Sequence, residues 1–127
     1  MTDSKGFTLI ELAIVLAIIA ILAAVAMPRS ADLSGRAGDA AVEATAASVQ
    51  AAYAVALADS GAAPSCNGLF SRMSRISGTG NTRTIASSGS TTTVACTESG
   101  GRVSSVSIWN DRAATHRDAD SALVLSF

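Results

Sequence analysis

Residues 5–28 read KGFTLIELAIVLAIIAILAAVAMP, and this stretch decides the fold. From Phe7 to Met27, 19 of the 21 positions are apolar, and the exceptions are Thr8 and Glu11. As an α-helix the block would be about 31 Å long at 1.5 Å per residue, which is enough to span the hydrocarbon core of a bilayer. The block is therefore predicted to be a helix that can lie in a membrane.

Outside this block the chain has few large apolar residues from which to build a hydrophobic core. Hydrophobic residues make up 49% of the chain but aromatic residues only 4%, and 20 of the 42 apolar residues after Met27 are alanine. These residues can build one small core, which excludes two full globular domains. Nine basic and ten acidic residues give a net charge of −1, so no global field favours nucleic acid or an anionic membrane surface.

Glu11 is unusual because it lies inside the apolar block, where a carboxylate costs roughly 2.5–3.5 kcal/mol on insertion scales. Cleavage after Gly6 would give Phe7 an α-amino group one helical turn before Glu11, or within reach of the same glutamate on a neighbouring chain. An ordinary secretory signal is the alternative, since Ala24-Val25-Ala26 is a small-x-small site for cleavage before Met27. The length of the block and the buried charge count against that alternative.

The segment Lys5-Gly6-Phe7-Thr8-Leu9-Ile10-Glu11, followed by the aliphatic run and Pro28, resembles the amino terminus of type IV prepilins and of the related pseudopilins of type II secretion. The resemblance implies that a prepilin peptidase cuts between Gly6 and Phe7 and methylates the new Phe7 amine. It implies that Glu11 neutralises the amino terminus of an adjacent subunit during filament assembly, and that Pro28 bends the helix. Residues 28–35, PRSADLSG, also resemble mannose-sensitive haemagglutinin-type pilins.

Beyond Pro28 the pattern becomes alanine-rich and amphipathic. Gly35 and Gly38 are expected to loosen the chain, with helix resuming by Asp39 and ending near Ser60. Residues 7 to about 58 would then form one long helix of about 75–80 Å, bent at the proline. Its second half carries a predicted core stripe at helical spacings of three and four: Val42, Ala46, Val49, Tyr53 and Leu57.

The remaining chain is rich in Ser, Thr and Gly and contains short alternating runs. Turns are expected at Ser88-Gly89-Ser90 and Ser99-Gly100-Gly101. The predicted strands are Thr82–Ala86, Thr91–Thr97, Arg102–Trp109 and Ala122–Phe127. A small antiparallel sheet built from them would cover the helix stripe, which predicts an α+β fold.

Two cysteines lie beyond the apolar block, and no CxxC motif or paired histidine suggests a metal. Cys66 and Cys96 are most simply interpreted as one disulfide, which requires an oxidising compartment. The bond would close a loop of 31 residues and contribute roughly 3–4 kcal/mol in the loop-entropy model. In many type IV pilins the disulfide brackets a loop near the carboxyl terminus, whereas 31 residues follow Cys96 here.

The sequence contains only weak candidates for metal-binding or catalytic residues. His116 lies near Asp111, Asp118 and Asp120, but the acidic residues lack the spacing of a calcium loop, so residues 110–121 are predicted to be an exposed polar loop. No Gly-x-Ser-x-Gly motif accompanies the lone histidine, so a hydrolase is rejected. We expect no catalytic residue, no metal ligand and no cofactor, and hence a protein that is not an enzyme.

A basic patch is the other candidate site. Arg72, Arg75 and Arg83 lie near Phe70 without acidic neighbours in the sequence. Such a patch could contact DNA phosphates, but a solvated or subunit-facing surface is the favoured interpretation.

The resemblance therefore implies a pilin fold, in which a long bent amino-terminal helix packs its second half on a small antiparallel sheet. The expected organisation is a leader peptide (1–6), a transmembrane and filament-core helix (7–28), the amphipathic half of the same helix (29–60) and a disulfide-stapled head (61–127).

The implied function is that of a structural subunit of a type IV pilus for adhesion, motility or DNA uptake. The subunit would be held in the inner membrane by one span and then polymerised into an extracellular filament. The implied partners are identical or related pilin subunits, prepilin peptidase, an inner-membrane assembly platform and membrane lipid. The alternatives are a type II secretion pseudopilin and a minor pilin whose head binds DNA or a surface.

Overall fold

The fold was analysed on a computed structural model that describes residues 6–87 and 89–127, with backbone alone for residues 27–32. The chain separates into two compact units, residues 1–33 and residues 34–127. In chain order the elements are two helices followed by four strands. The α+β prediction is confirmed.

Helix α1 runs from Leu9 to Ser60. Thr8 precedes it, and the first backbone hydrogen bond of the helical ladder joins the Leu12 amide to the Thr8 carbonyl at 3.3 Å. At the other end the Gly61 amide donates to the Leu57 carbonyl at 2.8 Å, and Gly61 has a φ of +67°. A glycine in this left-handed conformation just beyond the last turn is a common way for a helix to end.

The expected loosening around the two glycines is wrong, because α1 is continuous through both, as one long helix. A Cβ added to Gly38 would lie 2.6 Å from the Cα of Ala113, and one added to Gly35 would lie 3.0 Å from the Cβ of Ala114. The glycines therefore let the segment after the third strand approach the helix closely. The glycines serve packing, and the helix remains continuous although glycine has a lower helix propensity than alanine.

The four strands form one antiparallel sheet in the order β1-β2-β3-β4. Each predicted strand is confirmed, and its ends differ from the prediction by two residues at most. The observed bounds are Thr82–Ser87 for β1, Ser90–Ser99 for β2, Arg102–Asn110 for β3 and Leu123–Ser126 for β4.

Short turns connect the central strands. Gly100 and Gly101 both have positive φ, +61° and +76°, between the paired residues Ser99 and Arg102. Two positive-φ residues in a two-residue loop match the twist of an antiparallel hairpin, and glycine adopts them without strain. The predicted turn at residues 99–101 is confirmed, whereas the one at residues 88–90 includes residue 88, outside the described part.

One hydrophobic core lies between the second half of α1 and the inner face of the sheet. Val42, Ala46 and Val49 belong to it as predicted, and Tyr53 packs against its edge. Leu57 does not, since it is 43% exposed. At 100° per residue Leu57 lies about 60° around the helix from Val42, which carries it off the stripe.

Alanines take the place that Leu57 was expected to fill. Ala52 and Ala56 are buried on the same side of the helix. The sheet supplies Val94, Val106 and Ile108 to the core, and each is fully buried. Small helix residues opposite branched strand residues allow the helix to lie close to the sheet.

The pattern did not predict helix α2, Cys66–Phe70. Ser65 caps it, because its hydroxyl accepts a hydrogen bond from the Gly68 amide at 3.2 Å. Leu69 and Phe70 are fully buried and belong to the core. Five residues are too few for hydrophobic periodicity to reveal a helix.

Candidate functional site: the amino-terminal helix and its head

The first half of α1 exposes apolar side chains on every side. Its large hydrophobic residues from Phe7 to Val25 are between 49% and 89% exposed. The stretch Leu9–Ala26 has a mean hydropathy of 3.0 and is long enough to cross a membrane. Such a surface is stable in lipid or against other apolar helices, and unstable in water.

By length and composition Leu33–Ser60 could also cross a membrane, although its mean hydropathy is lower, at 1.3. A third of that stretch is buried within the protein. Its apolar face is that of a helix packed on its own sheet.

Glu11 is the third residue of α1 and bonds back to Thr8. One carboxylate oxygen, Oε2, accepts from the Thr8 amide at 3.0 Å and from the Thr8 hydroxyl at 2.7 Å. The Glu11 amide donates to the Thr8 Oγ1 at 3.4 Å. This reciprocal arrangement is a capping box, which satisfies amide groups at the start of a helix that have no partner within it.

Sequence reasoning missed the role of Thr8. The signal was present as Thr-x-x-Glu in front of an apolar run, the pattern of a capping box. Both residues lie after Gly6, so a cut between Gly6 and Phe7 would leave the cap intact. The Oε1 oxygen makes no hydrogen bond to the residues that the structure describes.

The other predicted processing residues lie around this cap. Gly6 and Phe7 precede the helix, and Phe7 is 85% exposed. Pro28 lies in the helical backbone, but its side chain and the predicted bend fall outside the described part. Residues 1–5 of the expected leader are also outside it.

The predicted disulfide joins Cys66 to Cys96, with a Cα–Cα distance of 5.8 Å and 30 residues of separation. Both cysteines are buried, Cys66 completely. The bond ties the first residue of α2 to the middle of β2. The fold therefore holds α2 on the sheet covalently.

Glu98 strengthens the same junction, and the sequence did not indicate it. Its Oε1 accepts a hydrogen bond from the backbone amide of Cys66. A β-bulge lies between Thr97 and Glu98, where the pairing of β2 with β3 shifts by one residue. No local sequence pattern connects residues that are 32 positions apart.

The segment predicted to be an exposed loop, residues 110–121, is only partly exposed, and its first residue is the last residue of β3. Asn110 is fully buried, and its amide group donates to the hydroxyls of Thr92 at 2.8 Å and Ser90 at 3.0 Å. Its Oδ1 accepts from the Arg112 amide at 2.9 Å. Ala113 is fully buried as well.

Asp39 anchors this segment to helix α1. Its carboxylate accepts from the Thr115 amide at 3.0 Å, the Thr115 hydroxyl at 3.3 Å and the His116 amide at 3.4 Å. The hydrogen bond from the Thr115 amide is the main cause that lowers the pKa of Asp39 below its ordinary value. The negative charge of Asp39 therefore holds the loop to the helix.

Three of the four residues considered for metal binding, His116, Asp111 and Asp118, are each engaged separately. The Nδ1 of His116 lies 2.8 Å from the Ser121 carbonyl. Asp111 accepts from the Thr91 amide at 2.9 Å, and Asp118 from the Ser121 hydroxyl at 2.8 Å. That hydroxyl contact is the main cause that lowers the pKa of Asp118. Among the described residues, no group of three or more potential ligands could hold a metal ion.

The expectation of a basic patch without acidic neighbours is wrong. Arg72 forms a salt bridge with Asp59 at 2.8 Å. Arg83 donates to the Asn67 side chain at 3.0 Å, and its guanidinium lies 5.1 Å from the Phe70 ring centroid. Asp59 and Arg72 are 13 positions apart and meet only in the folded protein, so the local sequence could not reveal their contact. Two of the three arginines are therefore engaged in contacts within the head, which weakens the case for DNA phosphates as their partners.

Comparison with known proteins bears on the same features. The sequence model of the prokaryotic N-terminal methylation motif matches residues 1–27. The type IV narrow pilus major component of Thermus thermophilus is 49% identical over 96 residues, which cover 76% of this chain and 81% of that protein. The resemblance to mannose-sensitive haemagglutinin-type pilins is not confirmed.

An exposed apolar helix with a prepilin-type amino terminus, joined to a helix-on-sheet head, defines a pilin-type protein. The chain belongs to the type IV pilin family. Such a subunit is anchored in the inner membrane by its apolar helix and then becomes part of an extracellular pilus built from pilin subunits. The family is structural, and its members are not known as enzymes.

Proposed function

We propose that this pilin is cut between Gly6 and Phe7, methylated on the Phe7 amine and polymerised as the main subunit of its filament. The observation that carries the proposal is the uniformly apolar first half of α1 with one carboxylate near its start. The relative from Thermus thermophilus is a major pilus component, which supports the same role here.

In this proposal Glu11 pairs with the amino terminus of the neighbouring subunit. A carboxylate in an apolar environment is costly unless a cation or hydrogen-bond donors satisfy it. Thr8 supplies donors to Oε2, and the second oxygen can accept the methylated Phe7 amine of the next chain. The pairing would set the axial register of each incoming subunit.

The apolar helices would exchange lipid for one another as the filament grows. Since lipid tails are as apolar as the helix surface, little hydrophobic driving force separates the two environments. Close packing of small residues and the Glu11 ion pair would then decide association. Ala13, Ala17, Ala20 and Ala24 are the small residues that allow close approach.

Two cellular partners follow from the same proposal. A prepilin peptidase on the cytoplasmic face would remove residues 1–6 and methylate Phe7. An inner-membrane assembly platform would then move the subunit from the bilayer into the filament. Pro28 would bend the helix between its lipid-facing and head-bearing halves, because it removes a backbone donor and clashes with the preceding turn.

The test separates the charge of Glu11 from its part in the cap. Glu11→Gln keeps a capping side chain but has no negative charge to form an ion pair, and Glu11→Ala removes both functions. We expect both variants to be processed normally and to enter filaments about tenfold less or worse, measured by immunoblotting of sheared filaments. Glu43→Ala is the matched control, since Glu43 is an exposed glutamate on the head-bearing half of the same helix.

Normal filament yield from Glu11→Gln would refute the ion pair and leave Glu11 with its capping role alone. Loss of processing in either variant would show that the residue acts on the peptidase step instead.

A further inference from the structure

The outer face of the sheet, opposite helix α1, has an unusual composition. Side chains alternate between the two faces of a strand, and the pairing registers up to the β-bulge after Thr97 place twelve residues on the outer side. Eight are Ser or Thr, and the others are two alanines, a valine and a tryptophan. This hydroxyl face consists of Thr82, Thr84, Ala86, Thr91, Thr93, Ala95, Thr97, Ser105, Ser107, Trp109, Val124 and Ser126.

The twelve residues of the hydroxyl face carry no charged side chain, although the chain has 19 charged residues. Arg102, beyond the β-bulge, is the one charged residue that the pairing register places on the same side of the sheet. The twelve residues themselves therefore offer no charged group to phosphate or carboxylate, and they gain no counterion release from nucleic acid. A neutral partner is the one that their electrostatics fit.

The hydroxyls of this face have spare hydrogen-bonding capacity. Thr84 lies 3.4 Å from the Ser77 hydroxyl. Within the described residues the hydroxyls of Thr93, Ser105 and Ser107 have no partner, although each residue is half-buried. Each of these groups can both donate and accept a hydrogen bond.

The only tryptophan of the chain lies on this face and not in the core. Trp109 is half-buried and stands directly opposite Thr93 in the pairing of β2 with β3. Its indole N–H donates to none of the described residues. In a head this poor in aromatic residues, burying the indole would have strengthened the core, so its outward position calls for a partner.

We propose that the hydroxyl face is a docking surface for neutral polysaccharide. A pyranose ring offers a face of C–H groups that can stack on the Trp109 indole and a rim of hydroxyls that can pair with the Ser and Thr side chains. Both sides of such a contact donate and accept, so few polar groups are left unpaired.

A second copy of this chain fits the surface less well. Packing two such faces together would bury Ser and Thr hydroxyls without charged or amide partners, and unpaired buried hydroxyls cost free energy. Serine is depleted at protein interfaces relative to the rest of the surface. A sugar polymer brings the missing donors and acceptors with it.

Because Trp109 is the only tryptophan, its fluorescence reports directly on this face. We expect soluble neutral polymers, hydroxyethyl cellulose and dextran, to shift or quench the emission of the detergent-solubilised full chain in a saturable way. Alginate and double-stranded DNA should leave it unchanged. An unchanged spectrum at saturating concentrations of both neutral polymers would overturn the proposal.

Variants localise the binding. Trp109→Ala and Thr93→Val should each lower co-sedimentation of full-chain protein with microcrystalline cellulose or starch granules, the former by about tenfold. Thr93→Val keeps a β-branched residue in the strand and guards against a folding defect. Ser99→Ala, an exposed hydroxyl at the end of β2 beyond the bulge, is the matched control.

Equal binding by Trp109→Ala and Ser99→Ala would contradict the assignment. Self-association that depends on Trp109, without binding to either granule, would replace polysaccharide with a second copy as the occupant.

Discussion

Gly38 shows how far a single residue can be misjudged from sequence. In a helical pattern a glycine usually indicates a weak point, and the prediction of a loosened segment followed that rule. The structure instead brings the Ala113 backbone against the glycine Cα, in a space where no side chain fits. The contact joins residues 75 positions apart, so the local pattern could not reveal it.

Gly38→Ala should destabilise the head. Helix propensity alone would predict a gain of up to about 1 kcal/mol, whereas the forced contact with the Ala113 backbone should cost about 1–3 kcal/mol. Thermal unfolding of the solubilised chain, followed by near-ultraviolet circular dichroism, would measure the sign. Gly35→Ala is the control with a milder clash, against the Ala114 Cβ, and a stabilised Gly38→Ala protein would contradict the packing role.

Asp39 gives the head a dependence on acidic pH. Hydrogen bonds from Thr115 and His116 hold its pKa below the ordinary value of 3.8. The contribution of Asp39 to stability is therefore complete above the unfolded-state pKa and is lost as pH falls through the lower folded-state value. Below about pH 4, the amides of residues 115 and 116 should lose protection against hydrogen exchange, measured relative to the intrinsic exchange rate at the same pH.

Asp39→Asn should remove most of this acid dependence, because the amide does not titrate. Glu43→Gln removes an exposed carboxyl group on the same helix and should leave the acid dependence unchanged. An unaltered exchange profile in Asp39→Asn would show that another group controls the loop.

At the scale of elements, the sequence predicted those whose signal is local and repetitive. The first half of α1 and the four strands followed from an unbroken apolar run and from alternation between turn residues. Helix α2 was missed, and the predicted place of Leu57 in the core was wrong. A helix of five residues is too short to show a hydrophobic period. Residues spaced by three and four positions do not stay on one face over many turns, because the helix has 3.6 residues per turn.

The candidate site divides in the same way. The processing motif and the cysteine pair could be predicted because residue type and spacing define them. The Glu98 contact, the Asp59 salt bridge and the burial of Asn110 depend on which surfaces meet after folding. The Thr8 cap was predictable and was overlooked.

The disulfide should provide a large part of the stability of the head. It ties α2 to β2 and closes a long loop, which in the loop-entropy model contributes roughly 3–4 kcal/mol. The paired change Cys66→Ser and Cys96→Ser, or reduction of the wild type, should lower the midpoint of thermal unfolding by more than 10 °C, at roughly 4–8 °C per kcal/mol for a head of this size. Equal midpoints with and without reductant would show that noncovalent packing of α2 is sufficient.

At the scale of the whole molecule, two units meet opposite physical demands. Within the first unit, the described residues from Phe7 to Ala26 expose apolar surface that only lipid or other helices can cover. The second unit, residues 34–127, buries a small core and presents polar surface. This division explains how one chain of 127 residues can be both a membrane protein and a filament subunit. A core built largely from alanine and valine is sufficient because a disulfide and several buried hydrogen bonds support it.

The amino terminus of the mature chain tests the account most directly. Intact mass and amino-terminal sequence, measured on protein from membranes and from sheared filaments, would identify the first residue and its modification. The account predicts N-methylated Phe7 in both fractions. A mature chain that begins at Met27 would contradict it, since the apolar helix and Glu11 would then be absent from the filament.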